Sequence, residues 1–354
     1  MPKCLKCGDE LPLNEDGGAP VLCDRCAGRA TSRARITMRT GSLWEYPTTT
    51  LLTAINLAVF VGMVLTGAGL INFNGQSLIA WGANLGPLTI GGEYWRLVTA
   101  GFIHGGLIHL AFNMWCLWSL GQLSERLFGR WQTFAIYMLA GVGGALLSIA
   151  RNPQTFEVGA SGAIFGIAGA LLAGVKFGNL SISAGEKKAL TSSMIFFVGV
   201  NFLLGAGMSS LGGNIDNMAH LGGFITGLLM GLPMGAFAGR HHLYQLATVL
   251  VTAVVLSAAG KELVQKEGEH GYAVRVGLAL QEKNYSKAIS MLESYISSHP
   301  DDYSAYSFLG EIYEKLQMKN KAMDTYQRGL KINPDDPTLK QDLDRLQAAD
   351  SSSK

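Results

Sequence analysis

"EVGASGAIFGIAGALLAG", residues 157–174, opens as a loop and closes as an unbroken apolar run. Ser161 stands at the seam, with glycines at 159, 162 and 166 around it. Farther along, "DNMAHLGGFITGLLMG", residues 216–231, places His220 at a similar seam. Small residues recur at an interval of four in both: Gly162, Gly166, Ala170 and Gly174 in one, Ala219, Gly223, Gly227 and Gly231 in the other. Such stripes occupy one helix face and let backbones approach closely, as helices associating in lipid require. One stripe starts a single residue after Ser161, the other a single residue before His220. If the stripes face each other, a hydroxyl and an imidazole arrive side by side near one membrane surface.

The rest of the chain supplies the lipid setting. A hydrophobic share of 48%, a charged share of 15% and 45 glycines are skewed values for a soluble protein. Between Thr48 and Gly260 the charges fall in clumps, and the runs between clumps approach the ~20 apolar residues that a spanning helix needs. Seven spans are expected, at 49–70, 102–122, 131–150, 159–175, 190–207, 217–237 and 243–259. The fold class is all-α, a polytopic transmembrane helical bundle over 48–260. Arg25, Arg29, Arg33, Arg35 and Arg39 precede the first span. Arg126 and Arg130 follow the second, Lys176, Lys187 and Lys188 the fourth, and Arg240 the sixth, whereas the opposite loops hold Arg96 and Arg151. This bias places the N-terminus in the cytoplasm, and an odd number of spans places the C-terminus outside. The first 47 residues are polar, so no cleavable signal peptide is expected. A net charge of +2 gives no reason to invoke nucleic acid.

The two ends read differently. Cys4 and Cys7 form one Cys-x-x-Cys pair, Cys23 and Cys26 a second, with fifteen residues between the pairs. Two such knuckles close a tetrahedral zinc site, so residues 1–40 are expected to be a zinc-ribbon-like segment with a structural ion. Cys116, inside the second span, reads as a small core residue. At the other end, 269–302 aligns with 303–336 at a period of 34, pairing Tyr272 with Tyr306, Ala288 with Ala322 and Pro300 with Pro334. The second copy resembles a tetratricopeptide repeat through Leu309, Gly310, Tyr313, Ala322 and Pro334; the first has Arg275 and Val276 where the pattern wants Leu-Gly. A helix at 337–347 would cap the stack. The tail, 268–348, is therefore a helical repeat, either a groove for a peptide or protein ligand or a solvated spacer. Two repeats are fewer than usually bury a continuous core, so docking or dimerisation is compatible with the pattern.

Within the spans no Asp or Glu lies at mid-depth, and His-Glu-x-x-His is absent. Both absences weigh against an aspartyl protease, a zinc protease and a proton-coupled carboxylate transporter. Histidine, asparagine and serine remain. His109 and Asn113, four apart in "HGGLIHLAFNMW", share a helix face, whereas His104 lies about 140° round and need not join them. Only His220 could pair with them at similar depth, which disfavours haem. A serine beside a base can attack a carbonyl. At a helix start its own N–H is free to meet developing negative charge. Gly159 and Gly162 would let substrate backbone come close, and His109 and Asn113 could donate to an oxyanion. The bland alternative is glycine-driven packing in which Ser161 and His220 satisfy each other. No cofactor is needed for catalysis.

These motifs carry a resemblance. Gly159-Ala160-Ser161-Gly162 matches the Gly-x-Ser-Gly signature of the rhomboid intramembrane serine proteases. "HGGLIHLAFNMW" resembles their His-x-x-x-Asn motif, "NMAHLGGFITG" their Ala-His-x-x-Gly helix, and "EYWRLVTAGFIH" the Trp-Arg element of their first external loop. The resemblance covers about 48–240 and implies a six-plus-one helix arrangement. It implies Ser161 as nucleophile, His220 as general base, and His109, Asn113 and the Ser161 N–H as oxyanion hole. Phe165 stands where some relatives carry a tyrosine that packs on the histidine. The implied substrate is the transmembrane segment of another membrane protein, single-span or otherwise, and the implied location a bacterial inner membrane. The competing expectation is a catalytically silent rhomboid-like binding module or adaptor.

Overall fold

The computed structural model describes residue 10 and residues 44–71, 73–178, 182–210, 215–237, 242–267 and 271–351. Cys4, Cys7, Cys23 and Cys26, the expected zinc ligands, lie outside the described residues, as do Arg25, Arg29, Arg33, Arg35, Arg39 and Arg240. Among the described residues the regular structure is helical and no strand is present.

Seven helices correspond to the seven expected spans: α1 Pro47–Leu65, α2 Leu107–Leu127, α3 Arg130–Arg151, α4 Ser161–Phe177, α5 Ala184–Ser210, α6 Asn217–Ala236 and α7 His242–Glu267. Five of them, α1, α3, α5, α6 and α7, are individually long and apolar enough to cross a membrane. The second span departs from expectation. Its helix starts at Leu107 rather than 102, and the preceding Arg96–Phe102 segment meets it at 93°. Gly105 and Gly106 fall in that break, where neither contributes a side chain to hold a helix together. α4 is also short, at 17 residues.

The chain divides into two compact units. The first comprises the chain up to Ala83, Leu97–Arg151 and Glu157–Ser257; the second comprises Asn84–Arg96, Asn152–Phe156 and the chain from Ala258. The core of the first holds Leu117, Ile136, Ala140, Ile164, Ile167, Leu171 and Met230, each essentially inaccessible. Several polar groups buried there are paired, as a medium without water favours. Glu125 of α2 caps α1, accepting the Thr48 N–H at 3.0 Å and the Thr49 N–H and hydroxyl at 2.9 Å each. Asn56 donates to the Tyr137 hydroxyl, which donates to the Gly101 carbonyl, both at 3.1 Å. Cys116 is buried and unbridged, as its reading as a core residue requires.

The second unit carries the repeats: α8 Tyr272–Gln281, α9 Tyr285–Ser298, α10 Tyr303–Lys315, α11 Lys319–Ile332 and α12 Pro337–Ser351. The starts of α9 and α11, and of α10 and α12, are each 34 residues apart, the period of the sequence. Ala288, Leu292, Tyr306, Leu309, Ala322 and Tyr326 form a common core. Arg275, which breaks the repeat pattern, does not enter that core; its guanidinium donates to the Pro87 carbonyl at 3.1 Å. In the same unit Arg96, of the Trp-Arg element, pairs with Glu93 at 2.7 Å and lies over the Trp95 ring.

Candidate active site

The α4–α6 seam sets the site. The two stripes interleave in parallel: a Cβ on Gly223 would overlap the Gly162 carbonyl, one on Gly227 the Gly166 carbonyl, and one on Gly231 the Ala170 carbonyl. The run extends to Gly235, whose Cβ would lie 2.6 Å from the Gly174 Cα. Parallel register brings the starts of α4 and α6 to the same end. α6 is gripped from a second side as well, because a Cβ on Gly144 of α3 would lie 2.6 Å from the Ala219 carbonyl. α3 carries small residues at the same interval of four, Ala140, Gly144 and Ser148, a third run not singled out from the sequence.

At this end Ser161 is the first residue of α4, and no side chain caps the helix start. Its Oγ lies 2.9 Å from Nε2 of His220. His220 is buried, and the Phe165 ring stacks on it face to face, with centroids 4.3 Å apart and 6° between the planes. Phe202 of α5 approaches both rings edge-on. Phe165 thus keeps the packing surface that the resemblance expected, without a hydroxyl.

Gly159 turns the chain into α4. Its φ of +115° favours glycine, and its N–H is held by the Ala100 carbonyl at 2.9 Å. Space enforces the same choice: a Cβ here would come 2.8 Å from His109 Nε2 and 3.7 Å from Asn113 Nδ2. His109 and Asn113 of α2 therefore meet the Gly-x-Ser-Gly turn. In this state the Asn113 amide donates back to the His109 carbonyl at 3.1 Å. Gly162 faces α6, with Ala219 O 3.3 Å from its would-be Cβ, so its smallness serves helix approach.

Two residues join the cluster unannounced. On a continuous helix His104 would lie about 140° round from His109 and need not join it. Because α2 begins at Leu107, His104 lies outside the helix, fully buried, with its ring edge-on to His109 at 5.1 Å. Asp216 caps α6, its Oδ1 accepting the Met218 and Ala219 N–H groups at 3.0 Å each. An Asp before an apolar run is a recognisable helix-start signal, but its second partner, the Ser148 hydroxyl of α3, is not.

Residues 91–237 match the rhomboid domain family, and residues 279–346 a tetratricopeptide repeat family. Rhomboid protease GluP of Bacillus subtilis (strain 168) is 30% identical over 301 residues, covering 75% of this chain and 57% of that protein. RHOMBOID-like protein 4 of Arabidopsis thaliana is 38% identical over 150 residues, 42% of this chain and 36% of that protein. Rhomboid protease AarA of Providencia stuartii is 29% identical over 237 residues, 61% of this chain and 81% of that protein. The chain thus spans about half or less of the first two relatives. Through its membrane domain the chain is a multi-pass member of the rhomboid family, and its C-terminal end carries tetratricopeptide repeats.

Proposed function

We propose that the chain is an intramembrane serine endopeptidase that cleaves a peptide bond in or near the transmembrane segment of another membrane protein. The observation that carries this reading is the 2.9 Å contact between Ser161 and His220 at the start of two parallel helices. In this mechanism Ser161 Oγ attacks the scissile carbonyl carbon while His220 Nε2 takes the hydroxyl proton. The oxyanion is met by the Ser161 N–H, His109 and Asn113. The imidazolium then gives its proton to the leaving amine as the peptide C–N bond breaks. Water, deprotonated by the same ring, hydrolyses the acyl-enzyme and restores Ser161.

The His220 Nδ1 atom is buried with no hydrogen-bond partner among the described residues, so no acid holds the ring as in a triad. Loss of that acid costs about 10⁴ in turnover in the conventional case, and slow turnover is expected here. Substrate backbone must unwind to reach Ser161, which favours segments rich in Gly, Pro or other weak helix formers. By the loop charges, the site opens toward the external face of a bacterial inner membrane, with the N-terminus cytoplasmic and the repeats outside as a protein-binding module. Cys4, Cys7, Cys23 and Cys26 hold one structural zinc per chain on this reading. Metal analysis of the intact chain tests that, and a metal-free protein refutes it.

Ser161→Ala should abolish cleavage of a single-span reporter in detergent. A fluorophosphonate should label the wild type, and His220→Ala should block labelling. Unlabelled wild-type protein that still binds the reporter would instead establish a silent client-binding module.

A further inference from the structure

The base of the proposed dyad is oriented by little that touches it directly. Phe165 supports one face of the His220 ring, Phe202 meets it edge-on and Ser161 meets Nε2, while Nδ1 has no partner among the described residues. The ring's place must then be fixed largely by the backbone that carries it. That backbone begins at Asp216, whose carbonyl accepts the His220 N–H at 3.3 Å across the first turn. The Asp216 carboxylate is doubly engaged: Oδ1 closes the helix start through Met218 and Ala219, and Oδ2 accepts the buried Ser148 hydroxyl from α3. Ser148 lies one turn beyond Gly144, which contacts the Ala219 carbonyl. The strap therefore closes the α3–α6 contact at the end where His220 stands.

We propose that Asp216, strapped to α3 through Ser148, is a positioning residue for His220 and supplies the negative charge that a triad acid would otherwise provide. The proposal rests on the reading of Ser161 and His220 as nucleophile and base. The physical reason is the charge that appears during attack. When His220 takes the Ser161 proton it becomes a cation in an apolar surround, where a fixed carboxylate one helical turn away interacts far more strongly than in water. The carboxylate is already in place, so no reorganisation is needed at the moment of reaction. A cap alone would do none of this, because a neutral Asn caps a helix as well as Asp does.

That equivalence supplies the test. Asp216→Asn keeps the cap and removes the charge. Its thermal stability in detergent should match wild type, while kcat on a single-span reporter falls about tenfold with KM unchanged, and fluorophosphonate labelling slows in proportion. Asp216→Glu, which restores the charge, should recover part of the loss. Ser148→Ala leaves cap and charge intact but frees the strap, and should lower kcat about threefold. Wild-type kcat in Asp216→Asn overturns the proposal and reduces Asp216 to a cap. Should Asp216→Asn fail to fold, an unchanged kcat in Ser148→Ala overturns it instead. Ser161→Ala separates the two levels: an inactive Ser161→Ala beside a fully active Asp216→Asn removes only the role of Asp216, whereas an active Ser161→Ala removes the dyad itself.

Discussion

The membrane unit and the repeat tail each close a seam with glycine, but against different partners. In the α4–α6 seam a Cβ on Gly227 would overlap the carbonyl of Gly166, so backbone lies on backbone. In the tail a Cβ on Gly310 would overlap the ring of Tyr326, so backbone lies on an aromatic side chain. The solvent explains the difference. Lipid tails are as apolar as leucine, so burying a large side chain between spans gains little and close backbone packing must hold the helices. In water a buried tyrosine removes a large apolar area and anchors the fold, provided its hydroxyl is satisfied. Here the Tyr326 hydroxyl donates to Glu314 at 2.7 Å. The membrane seam consequently tolerates almost no change in width, and the proposed dyad is built across its end.

The largest effect should come from widening that seam. Gly227→Leu forces α4 from α6, and because displacement of about 1 Å can cost 10² in rate, reporter cleavage should fall by at least that factor. Retained cleavage would show that the seam does not set the Ser161–His220 distance. Gly310→Val is the matching change in the tail. Overpacking of this kind costs about 1–3 kcal/mol, read as faster hydrogen exchange in α10 and α11 of the intact protein, with fluorophosphonate labelling of Ser161 unaltered. Loss of labelling would mean that the two seams are energetically coupled. A smaller effect is expected at Phe165. Aromatic stacking contributes about 0.5–1.5 kcal/mol, so Phe165→Leu should lower kcat about threefold to tenfold, whereas Phe165→Tyr, which keeps the ring, should stay near wild type.

Much of this contrast was legible from periodicity. The seven apolar runs, the two small-residue stripes and the period of 34 each reflect regular geometry that repeats along the chain. What escaped was irregular. His104 could not be placed while residues 102–122 were read as one unbroken helix, and the bend at Gly105 and Gly106 is what turns it onto His109. Ser148 was not singled out, because nothing in the sequence links it to Asp216, 68 positions away. Likewise Arg275 looked like a defect in the first repeat, although it has its own acceptor in Pro87. Long-range polar pairs have no period, so a single sequence does not announce them.

The same comparison predicts where titration matters. Neither α4 nor α6 carries a carboxylate along its stripe, whereas Glu311 lines the repeat groove with Tyr272, Ser304 and Phe308. Partial burial, then the carboxylates of Asp342 and Glu314, push the Glu311 carboxyl above the usual carboxylate range. A carboxyl whose pKa rises on folding holds its proton more tightly in the folded state. Its stabilising contribution is therefore complete below the unfolded pKa and is lost as pH rises through the folded one. At pH 7 the ionised Glu311 weakens the tail, so Glu311→Gln should strengthen it. The gain should be small, no more than about 0.5 kcal/mol at so exposed a position, and should vanish near pH 4, where the wild-type side chain is itself largely protonated. Hydrogen-exchange protection of α10 and α12 at the two pH values measures it. Equal protection of wild type and variant at pH 7 would mean that the tail screens its carboxylates fully, leaving the two regions to differ in packing alone.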